Sequence, residues 1–229
     1  MPNEKLSQNL NEVKKNIAFA ALRSGRLPDD VKLIVVTKTE NVNTIKEILA
    51  LGVTDIGENR AQDAVEKFEQ LRDVPTWHMI GRLQKNKVKY IVKFCKMIHS
   101  VDSFELADVI DMEAKKVGRI IDILIQVNVF SEDSKQGVNP DNVLDLVKDI
   151  SKLNYVQIKG LMAMAPITDD AQKLRLGFRQ MREIRDKILS KNIDNVDMIH
   201  LSMGMSQDYE IAVEEGATMV RVGSAIFRT

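Results

Sequence analysis

The chain of 229 residues has one cysteine, Cys95, a formal net charge of +0, and no apolar run approaching the length of a membrane span, about 18 residues. Each shortage closes off a class of protein. A lone cysteine excludes an intrachain disulfide and suits a reducing compartment. The 33 basic residues are matched by 33 acidic ones, which argues against nucleic acid or an anionic membrane as the main partner. The opening Met1-Pro2-Asn3-Glu4-Lys5 lacks the hydrophobic core of a secretion signal. No membrane is expected, and the expected location is the cytoplasm. No linker rich in proline, glycine or serine divides the chain, so one domain over 1–229 is expected. The dinucleotide fingerprint G-x-G-x-x-G is missing after every apolar run. The three histidines, His78, His99 and His200, form no H-x-H or H-x-x-x-H pair. Structural, hydrogen-bonded histidines are expected there, and no metal site.

What is present is an alternation. Apolar runs rich in β-branched residues read as buried strands at 31–39, 53–56, 77–80, 97–99, 120–127, 156–161, 197–200 and 218–222. Between them lie helical patterns at 61–71, 84–94, 170–190 and 207–215, one after Asn41 or Asn43 ending at Gly52, one capped by Ser103 and ending at Gly118, and one opened by Pro140. A further helix, 4–24, precedes them all, with Leu6, Leu10, Val13, Ile17, Ala20 and Ala21 on one face. Eight strand–helix units in about 200 residues fit a closed (β/α)8 barrel of the TIM type. An open doubly wound sheet is the alternative.

Closure brings the first strand beside the eighth. Lys38 ends the first strand, where α/β folds hold ligands, and a partly desolvated amine there could form a Schiff base. On the eighth strand, Met219, Arg221 and Gly223 share a face. If that face is inward, Arg221 lies in the barrel mouth and needs an acceptor or an anion. Gly223 admits a ligand close to the backbone, and Ser224 can open a short helix whose free N–H groups face an anion. The loop 201–206 adds Ser202, Gly204 and Ser206. A phosphate site beside an amine follows, a pairing that an aldehyde-bearing phosphate cofactor would use. The plainer reading is that Lys38 reaches solvent, Ser206 caps a helix, Gly223 ends a strand and Arg221 pairs with a carboxylate. Asn59 either touches such a cofactor or caps its loop. Lys85, Lys87 and Lys89 read as a solvated face, Met162, Met164, Met203 and Met205 as gap-filling core, and Cys95 as an inert buried thiol.

Together, Val35-Val36-Thr37-Lys38, Ile56-Gly57-Glu58-Asn59-Arg60, Trp77-His78-Met79-Ile80-Gly81-Arg82, Ser100-Val101-Asp102-Ser103, Gly160-Leu161-Met162, Leu201-Ser202-Met203-Gly204-Met205-Ser206 and Val220-Arg221-Val222-Gly223 resemble the pyridoxal-phosphate homeostasis protein family. The likeness runs in order over nearly the whole chain, and Ala163 is a local departure. That family is similar to the N-terminal barrel of alanine racemase. The resemblance implies pyridoxal 5′-phosphate (PLP) as a Schiff base on Lys38. It also implies a phosphate held by Ser202, Gly223 and Ser224, and Arg221 near the pyridine nitrogen. It implies intracellular PLP storage, buffering or delivery, apo PLP-dependent enzymes as partners, and a monomer. A permanently charged donor at the ring nitrogen opposes its protonation and weakens the ring as an electron sink, which suits storage. The alternative is an amino-acid racemase, which in alanine racemase-like enzymes draws a second base, a tyrosine, from a further domain. The chain ends soon after the eighth strand, so that domain is expected to be absent, and Tyr90, Tyr155 and Tyr209 are not placed to replace it. A sugar-phosphate or aldol barrel would use the same lysine and phosphate site without colour.

Overall fold

The computed structural model describes residues 4–130 and 136–228. Its strands are β1 (Lys32–Val36), β2 (Asp55–Glu58), β3 (Thr76–Met79), β4 (Met97–Val101), β5 (Ile121–Gln126), β6 (Val156–Met162), β7 (Val196–Ser202) and β8 (Met219–Val222). Each runs parallel to its neighbours, and β1 pairs with both β2 and β8, closing an eight-stranded barrel. The helices are α1 (Glu4–Arg23), α2 (Val42–Ala50), α3 (Ala61–Leu71), α4 (Val88–Ile91), α5 (Phe104–Lys116), α6 (Val143–Ile150), α7 (Ala171–Leu189), α8 (Tyr209–Glu214) and α9 (Ser224–Phe227).

The start signals work locally. The Asn41 side chain, not that of Asn43, accepts from Thr44 N–H at 3.0 Å and caps α2. Ser103 caps α5 through Leu106 N–H, and Asp170 caps α7 through Lys173 N–H. Each satisfies an N–H that its helix leaves open. The helix expected over 84–94 is reduced to a 3-10 turn, Lys85–Lys87, and the single turn α4. No side chain caps it, and Val88, Tyr90, Ile91 and Val92 are β-branched or aromatic, which costs helix propensity. Burial of Val88, Ile91 and Val92 holds the segment instead. Residues 131–135, which follow β5, lie outside the described residues. Among the described residues no helix is long and apolar enough to cross a membrane.

The core has two layers. The outer one, between sheet and helices, is apolar and continuous from Leu6 on α1 to Ile226 on α9. The inner one fills the barrel. Its apolar part is small: Ile34, Met97, Leu124, Met162 and Met219. Met162 is thus a strand residue inside the barrel, and Met203 is fully buried, while Met164 and Met205 line the cavity described below and are not core. Cys95 is buried beside the carbonyls of Trp77 and Met97, and burial pushes its thiol up to about 12, so it is inert as a nucleophile. Between β6 and β7 the backbones approach so closely that a Cβ on Gly160 would sit 1.9 Å from the His200 carbonyl oxygen. The pairing register shifts at this point.

Candidate functional site

The carboxyl ends of the strands surround a cavity of about 610 Å³ lined by Lys38, Asn59, Gln126, Ser206, Arg221, Gly223 and Ser224, among others. β1 ends at Val36, two residues before Lys38. Lys38 therefore stands in a turn, closed by Glu40 N–H donating to the Thr37 carbonyl at 2.9 Å. It is exposed at the mouth, as the plainer reading has it and not as a partly desolvated amine: the strand stops short, and the lysine leaves the barrel wall.

That turn is anchored from behind. Lys67 on α3 donates to the Thr37 carbonyl at 2.7 Å and to Glu58 Oε1 at 2.8 Å, and the Thr37 hydroxyl donates to the same oxygen. Thr37 and Glu58 are each 0% exposed. This buried ion pair ties the end of β1, which leads to Lys38, to the end of β2, which leads to Asn59.

Arg221 points into the barrel, as strand alternation predicts. It is 4% exposed, and among the described residues Asp208 is the carboxylate whose charge acts on it. It donates to the Ser202 carbonyl at 2.7 Å, the Ser202 hydroxyl at 2.6 Å and the Ala163 carbonyl at 2.8 Å. A guanidinium has five N–H donors, so two remain beyond these three. Burial pulls Arg221 down to about 10, which leaves it charged at neutral pH. The nearby Asp208 carboxyl, raised by burial, accepts from Met205 N–H.

Ser202 lies deeper than a loop position after β7. β7 continues to Ser202 instead of ending at His200, so this side chain is fully buried inside the barrel. It lies beneath Arg221, off the cavity surface. Ser206 lines the cavity, as do Thr168 and Ser224, and its hydroxyl accepts from Gly223 N–H and Ala225 N–H, each at 3.3 Å. Gly223 is needed by the wall as well: a Cβ there would lie 2.9 Å from the Val36 carbonyl oxygen. Ser224 opens α9, a single turn with no side-chain cap. Ser206, Gly223 and Ser224 thus form a small polar cradle in the cavity that Arg221 and Lys38 also line. The residues fit a ligand carrying an anion at one end and an amine-reactive group at the other.

Two features escaped the sequence. One is the Lys67–Glu58 pair. The other is a line of polar side chains through the barrel: Asp55, His78, His99 and Ser202, each bonded to the next. The histidines do not stand at the mouth. Inward parity on successive strands was the available signal, but strand ends were not known to one residue. Beside the first cavity lies a second of about 740 Å³, sharing Asn59, Arg60 and Arg82 and lined also by Lys85 and Lys87. Lys87 and Lys89 flank the Tyr90 ring.

Comparison with known proteins agrees with this fold. The family model "Alanine racemase, N-terminal domain" matches residues 8–229. The pyridoxal phosphate homeostasis protein of Aquifex aeolicus is 42% identical over 221 residues, 96% of each chain. A structure of an unknown protein from Bifidobacterium adolescentis superposes with a TM-score of 0.93 at 33% identity, covering 98% of this chain and 95% of that one. PipY of Synechococcus elongatus, in a structure with PLP bound, gives a TM-score of 0.86 at 35% identity, covering 97% and 99%. The chain belongs to the pyridoxal phosphate homeostasis protein family, built on the barrel of the alanine racemase N-terminal domain.

Proposed function

We propose that this chain, 1–229 as one domain, holds PLP at the carboxyl end of its barrel and serves cofactor homeostasis by storage, buffering or delivery. The observation that carries the reading is the meeting, in one cavity, of an exposed primary amine and a polar cradle beside a buried guanidinium. The named relatives and the PLP-bound neighbour support it.

When bound, PLP supplies an aldehyde that reacts with amines and a ring that accepts electrons. Lys38 Nζ is the covalent anchor for that aldehyde. Ser206, Gly223 and Ser224 hold the phosphate. Ser202, first assigned that role, instead supports Arg221 from below. Arg221 would offer a remaining N–H to the ring nitrogen and so oppose its protonation, and Asn59 would border the ring. The arrangement favours holding over turnover. A racemase needs a second base opposite Lys38, and none of the three tyrosines lines the cavity. Tyr90 is 41% exposed, Tyr155 follows the α6 turn outside the barrel, and the Tyr209 hydroxyl accepts from Asn16 on α1. Acceptors are apo PLP-dependent enzymes, reached by a monomer in the cytoplasm.

Arg221→Ala and Ser206→Ala should each weaken PLP retention about ten- to a hundred-fold, the loss of one charge-assisted hydrogen bond or more. Equilibrium dialysis measures it. Retention equal to wild type in both variants means that the phosphate is held elsewhere.

The functional test follows the chirality of L- and D-amino acids incubated with loaded protein, and in parallel the activity of an apo PLP enzyme mixed with it. Recovery of the acceptor without racemisation is expected. Racemisation at an ordinary enzymatic rate, about 1–1000 per second, overturns the reading of a non-enzyme.

A further inference from the structure

We infer that Asp55, at the opposite end of the barrel from the cavity, is a positioning residue for Arg221, acting through a hydrogen-bond chain of fixed direction across the barrel interior.

The chain is continuous. Lys32 Nζ lies 3.0 Å from Asp55 Oδ1, and Asp55 Oδ1 lies 2.9 Å from His78 Nε2. His78 Nδ1 lies 3.0 Å from His99 Nε2, and His99 Nδ1 lies 2.9 Å from the Ser202 hydroxyl. Arg221 donates to that hydroxyl at 2.6 Å. The residues come from β1, β2, β3, β4, β7 and β8, so the chain crosses the barrel from its amino end, where Asp55, Lys32, Asp122 and His200 line a cavity of about 410 Å³. His78 is 3% exposed and His99 and Ser202 are each 0%, so water does not substitute for any link.

The chemistry of the two ends leaves one arrangement of protons. A carboxylate only accepts, so His78 Nε2 carries a proton and donates to Asp55. A neutral imidazole has one donor and one acceptor, so His78 Nδ1 accepts. His99 Nε2 must then donate, and His99 Nδ1 must accept. The Ser202 hydroxyl therefore turns its proton to His99 and its lone pairs to Arg221. Both imidazoles are neutral, because burial disfavours the charged form of each and the charge of Arg221 adds to this at His99. Asp55 is held well below the usual carboxylate range, with His78, Thr54 and Lys32 outweighing its burial. Each bond polarises the next. The result is an acceptor of fixed orientation under Arg221, set from the far side of the barrel, which holds the guanidinium in place and keeps its free N–H groups facing the cavity.

The inference rests on the PLP reading for its effect on cofactor, but the chain itself is tested without cofactor. The protein has three histidines, so a histidine-¹⁵N-labelled sample gives only three imidazoles. In the unliganded wild type at neutral pH, two of them, His78 and His99, should be single Nε2–H tautomers. Asp55→Asn lets the amide present either a donor or an acceptor to His78. The single tautomer of His99, two bonds away, should then be lost. The same variant should raise the PLP dissociation constant about three- to ten-fold and shift the absorbance maximum of the bound cofactor. Lys32→Met, which removes only the outer partner of Asp55, should leave the His99 tautomer unchanged. Nδ1–H at either His78 or His99 of wild type overturns the inference, and this arm needs no variant to fold. So does a folded Asp55→Asn with His99 and PLP affinity as in wild type. Failure of wild type to bind PLP at all, with the tautomers as expected, refutes the PLP reading and with it the role toward cofactor, while the fixed chain stands.

Discussion

Lys38→Ala is expected to abolish covalent retention of PLP completely. Borohydride treatment of loaded wild type should leave the cofactor's mass on the peptide containing Lys38, and treatment of the variant should leave none. Among the described residues no other lysine lines the cavity. The fold should be unaffected, since Lys38 is exposed and makes no bond within the barrel wall. The cradle of Ser206, Gly223 and Ser224 stays in place, so residual noncovalent binding of PLP is expected. A reduced adduct on a different lysine, formed as readily in the variant as in wild type, refutes the assignment.

Lys67→Ala should have the largest effect on stability. Its side chain is 12% exposed and that of its partner Glu58 1%. Removing one member of a buried pair leaves the other charge without compensation and costs about 3–5 kcal/mol. Here the second carboxylate oxygen, Glu58 Oε2, already lacks a hydrogen-bond partner, and the Thr37 carbonyl would lose its donor. Urea unfolding measures the loss. Lys67→Met combined with Glu58→Leu should recover most of it, because an apolar pair removes the buried charge together with its partner. Because Thr37 carries the turn of Lys38, the single variant should also slow formation of the covalent link. A loss below about 1 kcal/mol would mean that water reaches Glu58 and that the pair is an ordinary surface contact.

The barrel was legible because strand and helix signals repeat in the right order. Val31 to Val36 and Ile120 to Val127 are β-branched runs that only a sheet covered on both faces buries, and Asn41, Ser103 and Asp170 mark helix starts through their own side chains. Inward parity on β8 put Arg221 and Gly223 on the correct face before any pairing was known. What failed was depth. Ser202 and Ser206 are four residues apart in one polar loop pattern, and which of them faces the cavity depends on where β7 ends. That end is set by pairing with β6, where Met162 lies opposite Ser202, and not by any local signal. The two readings of Lys38, reaching solvent or partly desolvated, part on the same point: β1 stops two residues before it. The histidine chain joins residues up to 103 positions apart, so only the closed sheet brings its members together. The 84–94 segment has the apolar spacing of a helix but the propensity of a strand, and packing settled it as a single turn.

The most direct test is a crystal structure of the protein loaded with PLP. Continuous density from Lys38 Nζ to the cofactor is expected, with the phosphate against Ser206, Gly223 and Ser224, the ring nitrogen facing Arg221, and Ser202 out of contact beneath it. A phosphate lying instead in the neighbouring cavity among Arg60, Arg82, Lys85 and Lys87, with Lys38 unmodified, would contradict the account.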